Sequence, residues 1–82
     1  MNNILYDKDM NEYTVVLFWD SEEKVWVATS EDYPIVLESE SFDELLERVR
    51  VATPELLEGN NLSATGTLHF KVNQIESLQA AV

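Results

Sequence analysis

Asp20, Glu22 and Glu23 lie close together in an otherwise aromatic and β-branched stretch, Phe-Trp-Asp-Ser-Glu-Glu-Lys-Val-Trp-Val-Ala-Thr-Ser at residues 18–30. Dense carboxylates are the first place to look for metal-assisted hydrolysis. A two-metal site needs several of them converging from separate elements. The last apolar run of the chain would have to supply the others, and it offers Thr67, His69 and Lys71 instead of acids. A calcium loop would need evenly spaced oxygen ligands and a glycine, and neither is present here. The hydroxyls of Thr29, Ser30, Ser39 and Ser41 have no His–Asp pair to activate one of them, and His69, the only histidine, lies on the predicted polar face of its strand. Absence of cysteine removes thiol catalysis, disulfides and thiolate zinc sites. These residues predict a protein that is not an enzyme and carries no cofactor or metal. The acidic cluster reads as the solvated tip of a hairpin, and His69 as a surface residue.

The chain is 82 residues long, enough for one small domain that buries about 60–65% of its unfolded surface. Its charge is more telling. Sixteen acids against five bases give a net charge of −11. Residues 31–58 hold nine acids and two arginines, whereas residues 59–82 balance Lys71 against Glu76. Phosphate backbones are held by clustered Lys and Arg, so direct nucleic-acid binding is not expected. An acidic surface suits a basic protein partner; it also serves solubility. No apolar run approaches a membrane span and no signal peptide is apparent, so a cytoplasmic location is expected.

The elements that would position these groups follow from periodicity. Residues 1–12 are polar apart from Ile4, Leu5 and Tyr6 and predict a mobile arm. Tyr13–Trp19 and Val25–Ser30 read as strands flanking the acidic turn. Glu31-Asp32-Tyr33-Pro34 reads as a turn, and Ile35–Glu38 as a short third strand. Ser41 with Glu44 forms a capping box ahead of a helix. Phe42, Leu45, Leu46, Val49, Leu56 and Leu57 make one helical stripe, with Glu44 and Arg48 as an i,i+4 pair. Pro54 predicts a kink or brief break, and Gly59-Asn60 a left-handed terminus. Leu68, Phe70 and Val72 alternate with polar residues in a fourth strand over residues 65–72, with one face buried. Residues 73–82 are expected to be a short tail or a helix capped by Asn73, with Ile75 and Leu78 available for packing.

The predicted class is α+β with order β-β-β-α-β: a four-stranded mixed sheet, strand order 3-2-1-4, and the helix on one face. The face away from the helix would display either Val15, Leu17 and Trp19 or Val16 and Phe18. Both sets are apolar, which predicts a dimer or other partner unless the two chain termini cover that face. Trp26 is expected in the core; Trp19 stays open between core and interface.

Trp19-Asp20-x-Glu22-x-x-Val25-Trp26-x-Ala28-x-Ser30, Pro34, Phe42-x-x-Leu45 and Pro54-Glu55-Leu56-Leu57-x-x-Asn60 together resemble the HicB-like family, in particular its small uncharacterised single-domain members. The resemblance spans residues 13–72. It implies a partial RNase H-like fold and the role of an antitoxin that neutralises a small basic RNA-cleaving toxin of the HicA type by occlusion. Full-length antitoxins of that kind often carry a DNA-binding segment; the ten residues after Val72 contain no Lys or Arg, so autorepression by this chain is not expected. Under this reading Glu38, Glu40, Asp43, Glu44 and Glu47 supply the electrostatic footprint, and Phe18 and Trp19 the apolar anchors. The alternative reading is an orphan homodimeric structural or regulatory domain with no toxin.

Overall fold

The computed structural model describes residues 11–76 and 78–80. The predicted N-terminal arm falls almost entirely outside them. Five elements follow in the expected order: β1 (Glu12–Asp20), β2 (Val25–Thr29), β3 (Val36–Ser39), α1 (Phe42–Gly59) and β4 (Thr67–Val72). They form one sheet of order β3-β2-β1-β4, antiparallel except for the parallel β1–β4 pair. This is the α+β arrangement that the order of elements dictates, because a helical crossover returns β4 parallel to β1.

Register settles which residues face the helix. Leu17 pairs with Ala28 and Ala28 with Leu37, while Val15 pairs with Phe70. Tyr13, Val15 and Leu17 therefore line the helix-side face, and Val15 and Leu17 are fully buried beneath Leu45 and Val49 of α1. Thr14, Val16 and Phe18 point to the opposite side, since a strand alternates its side chains with period two.

Several local devices differ from the expected ones. The Ser41 hydroxyl accepts from the Glu44 amide at 3.2 Å, but the Glu44 carboxylate does not return to Ser41. Ser39 stands between them: its hydroxyl donates to Glu44 Oε1 at 2.6 Å and accepts from the Ser41 amide at 3.0 Å. The capping box is thus relayed through the end of β3. Arg48 does not pair with Glu44; its guanidinium donates to the Glu38 carbonyl at 2.6 Å, tying α1 to the edge strand.

The helix does not break at Pro54; it runs unbroken from Phe42 to Gly59. Pro54 is exposed, so the carbonyl it leaves without an amide partner lies on the solvent side. On the buried side Thr53 bonds the preceding turn through its hydroxyl, which donates to the Val49 carbonyl at 2.7 Å. Termination comes later than expected. Asn61, not Asn60, takes the left-handed conformation (φ 59°), and the Asn61 and Leu62 amides bond the Glu58 and Leu57 carbonyls. That is a Schellman closure with asparagine in the position glycine usually fills.

Tyr33, which the sequence places in a turn, is buried beneath α1, with its hydroxyl 2.6 Å from Thr53 Oγ1. The Thr53 proton is committed to Val49, so Tyr33 is the donor. Thr53→Val leaves that phenol without its acceptor in a buried place and is expected to cost about 2 kcal/mol. Tyr33→Phe leaves the Thr53–Val49 bond intact and should cost less than about 1 kcal/mol. The double variant, in which neither orphan remains, should be more stable than Thr53→Val alone; urea unfolding of all four proteins checks the sign. Burial, opposed by the Thr53 hydrogen bond and reinforced by Asp32, raises the Tyr33 pKa above the ordinary 10.0. The folded state therefore holds this proton more tightly than the unfolded state does. The associated stability is fully present below the ordinary value and is lost as pH rises through the elevated one. Tyr33→Phe should lose this alkaline component in unfolding curves measured across that range.

β4 departs most from expectation. Leu68 is half-buried, but Phe70 and Val72 on the same face are 36% and 51% exposed. α1 packs chiefly against β2 and β3; Leu68 reaches the core, but beyond it the helix-side face of β4 is covered among the described residues only by the Arg50 guanidinium, 5.8 Å above the Phe70 ring. No helix forms among the described residues after Val72, and Ile75 and Leu78 are exposed.

Candidate protein-binding surface

The acidic hairpin tip is built for its own closure. Asp20 Oδ1 accepts the amides of Glu22 and Glu23 at 3.0 and 3.1 Å, and the Lys24 amide bonds the Asp20 carbonyl at 2.8 Å with Lys24 in the left-handed region. Asp20 thus acts as a turn-closing acceptor. Among the described residues no three His, Asp or Glu side chains form a group able to hold a metal.

Ser30 and Asp32 also have local work. Beyond the Val16–Thr29 pair the β1–β2 ladder continues through side chains. Asp32 Oδ2 accepts from the Thr14 amide at 2.7 Å, the Ser30 hydroxyl donates to the Thr14 carbonyl at 2.7 Å, and the Asp32 amide donates to Ser30 Oγ at 2.9 Å. A serine at this place in the hairpin motif is explained by backbone satisfaction.

Phe18 and Trp19, neighbours in β1, project from opposite faces. Phe18 shares a row with Val27 and Glu38 across three strands on the side away from α1. Val16, Phe18 and Val25 are half-buried there, Val36 is 72% exposed and Val27 is buried. Thr14, Val16, Phe18 and Lys71 floor a shallow hollow of about 510 Å3 on this side. Trp19 lies on the helix side. Its ring meets Trp26 at 5.6 Å, and Trp26 in turn meets Phe42 of α1 at 4.8 Å, both edge to face. Trp26 packs against the core, as its position in the strand predicts, while Trp19 remains 36% exposed at the end of the aromatic series.

The five acids of the expected footprint are all exposed around the β3–α1 junction, but they are not equivalent. Glu44 is held by Ser39, and Glu47 faces Arg50 at 3.3 Å across a pair exposed on both sides. Glu38, Glu40 and Asp43 make no ion pair among the described residues. The structure thus joins Phe18 to Glu38 on one face, places Glu40 and Asp43 at the adjoining corner, and sets Trp19 apart. Sequence reasoning missed Val36 and Phe70 as exposed apolar side chains: Val36 stands within the apolar run Ile35-Val36-Leu37, and the alternation of β4 pointed to burial of Phe70 instead. His69 Nε2 lies 2.9 Å from Glu12 Oε1 at the surface of the opposite edge.

No helix among the described residues is long and apolar enough to cross a membrane. The crystal structure of hypothetical protein TTHA1013 from the extremely thermophilic bacterium Thermus thermophilus is similar to this fold, with a TM-score of 0.67, 32% identity, and coverage of 85% of this chain and 100% of that one. No curated protein matches the chain. Residues 12–80 match the family model described as a domain of unknown function, DUF1902, and the chain belongs to that family.

Proposed function

We propose that this protein is a cytoplasmic, non-catalytic binding module of HicB-like character that neutralises a small basic RNA-cleaving toxin by covering its RNA-binding surface. The observation that carries this reading is the corner formed by β3 and the start of α1. Glu38, Glu40 and Asp43 stand there exposed and without an ion pair among the described residues, beside the apolar row of Phe18 and Val27. Free carboxylates next to an apolar strip suit a partner whose Lys and Arg otherwise hold phosphate, and they compete with RNA for the same cations. Fields of one sign also raise encounter rates.

The resemblance of the hairpin and helix motifs to HicB-like proteins points the same way. The test is co-expression of the full chain with a short basic reading frame adjacent to its gene, scored by relief of growth arrest and by co-purification. Changing Glu38, Glu40 and Asp43 together to Lys is expected to weaken the complex by about a hundredfold or more, chiefly through faster dissociation where the charges are desolvated. If the neighbour neither binds nor has its toxicity relieved, the antitoxin reading is wrong. A complex insensitive to the three substitutions would move the interface elsewhere.

A further inference from the structure

The outer edge of β4 has no strand beside it among the described residues. Strand amides point alternately to the two sides, and β4 can be phased from its ends. The Thr67 amide bonds the Asn11 carbonyl at 2.9 Å and the Asn73 amide bonds the Leu17 carbonyl at 2.8 Å, both toward β1. Odd-numbered residues of β4 therefore direct their N–H and C=O groups at β1. Leu68, Phe70 and Val72 direct theirs outward, and among the described residues no strand pairs with that side. The same three residues carry the apolar side chains that α1 leaves partly uncovered, with Phe70 and Val72 36% and 51% exposed.

We propose that a second copy of this chain occupies this edge, with the two β4 strands antiparallel about a two-fold axis at Phe70. The register follows from two constraints. Residues paired across antiparallel strands must share a face, so the numbers of each pair sum to an even value. Centring on Phe70 opposes Phe70 to Phe70 and Leu68 to Val72, all outward-bonding positions. Each such pair exchanges both of its hydrogen bonds, about six in total. Centring one residue earlier opposes His69 to His69, sets Val72 against Gly66 and forms about four bonds. The Phe70 register is therefore favoured on both counts.

Charge selects a second copy rather than a basic partner for this edge. Two chains of net charge −11 repel, and the repulsion is least where they present their neutral segment. Residues 59–82 are that segment, with Lys71 and His69 on the strand itself, whereas the acids concentrate at the far edge beside β3. The paired sheet has double the four strands of one copy, with both helices on the same side. Phe70 then meets Phe70 of the other copy, and Val72 meets its Leu68, in the gap between the two helices. Both acidic corners remain at the outer ends, free for other partners.

Sedimentation and light scattering of the full chain test the proposal, with a species of twice 9.4 kDa expected. Phe70→Lys places like charges directly opposite one another and should raise the dissociation constant by about a hundredfold or more. Its side chain is already partly exposed, so the monomer should keep its circular dichroism spectrum. In this cysteine-free chain Phe70→Cys should form a disulfide-linked dimer on mild oxidation, because directly opposed positions of a hydrogen-bonded pair lie about 5.5 Å apart between Cα atoms. Val36→Cys, on the opposite edge strand, should not. A wild-type chain that stays monomeric at high concentration overturns the proposal. So does a dimer that survives Phe70→Lys, or one that cross-links through Val36 in preference to Phe70. None of these readouts depends on a toxin, so they stand or fall apart from the antitoxin reading.

Discussion

Alanine in place of Gly66 is expected to destabilise the protein by about 3 kcal/mol or more, because two unfavourable effects fall on one atom. Gly66 holds φ at +137°, a conformation that L side chains rarely adopt. A Cβ there would also stand 2.2 Å from the Asn11 carbonyl oxygen. That oxygen belongs to backbone and accepts the Thr67 amide that opens the β1–β4 ladder, so it cannot withdraw without unpairing the start of β4. Gly59 provides the contrast. It is in the last turn of α1 with nothing within 4 Å of its Cβ position, and alanine there should stabilise by up to about 1 kcal/mol. Urea unfolding of the two variants should therefore move the midpoint in opposite directions. A Gly66→Ala protein as stable as wild type would mean that the β1–β4 junction is not closed as described.

Leu45→Ala is expected to cost about 3–4 kcal/mol, within the range for fully buried leucines. Leu45 is completely inaccessible, on the buried stripe of α1 with Val49 and Leu57, and packs in one cluster with Leu17 and Ala28 of the sheet. The sheet on one side and the continuous helix backbone on the other limit how far the site can collapse around the lost volume. A small domain has only about 5–15 kcal/mol in total, so a substantial unfolded fraction should follow on mild heating. Val51→Ala in the same helix, where the side chain is 63% exposed, should change stability by no more than about 0.5 kcal/mol. Tryptophan fluorescence reports both variants, since Trp26 meets Phe42 edge to face across the sheet–helix contact. A loss below about 1 kcal/mol for Leu45→Ala would contradict the packing described here.

The period-two and period-3.6 patterns account for most of what was readable in advance. Alternation in β1, the stripe through Leu45, Val49 and Leu57, and the serine ahead of the helix are all local signals, each written within a dozen residues. Handedness of the crossover then left one compact strand order. Local signals misled where a residue has two uses. Proline at position 54 forbids one hydrogen bond, yet on an exposed helix face that loss is tolerated, and the helix continues. Tyr33 follows turn-forming Asp32, but its ring is drawn under α1 and its hydroxyl to Thr53, twenty residues away.

The candidate site was legible only in composition. Its acids were visible as an excess between residues 31 and 58, but their partners were not. Glu44 bonds Ser39 and Arg48 bonds the Glu38 carbonyl, because folding β3 back against the start of α1 offers each a nearer group than the expected helical neighbour. Alternation already set Phe18 and Trp19 on opposite faces of β1; which of the two lies on the side of α1 was decided only by the fold.

By itself, then, the sequence determined the elements, their order and the acidic character of the middle of the chain, because hydrophobic period, caps and charge are properties of short segments. Only the tertiary structure decided which strand face lies under the helix and, among the described residues, which carboxylates make no ion pair and that β4 stays partly bare at an edge no strand pairs with. Those outcomes depend on where α1 lies across the sheet and on groups brought together from distant positions, and no short stretch of residues encodes that placement.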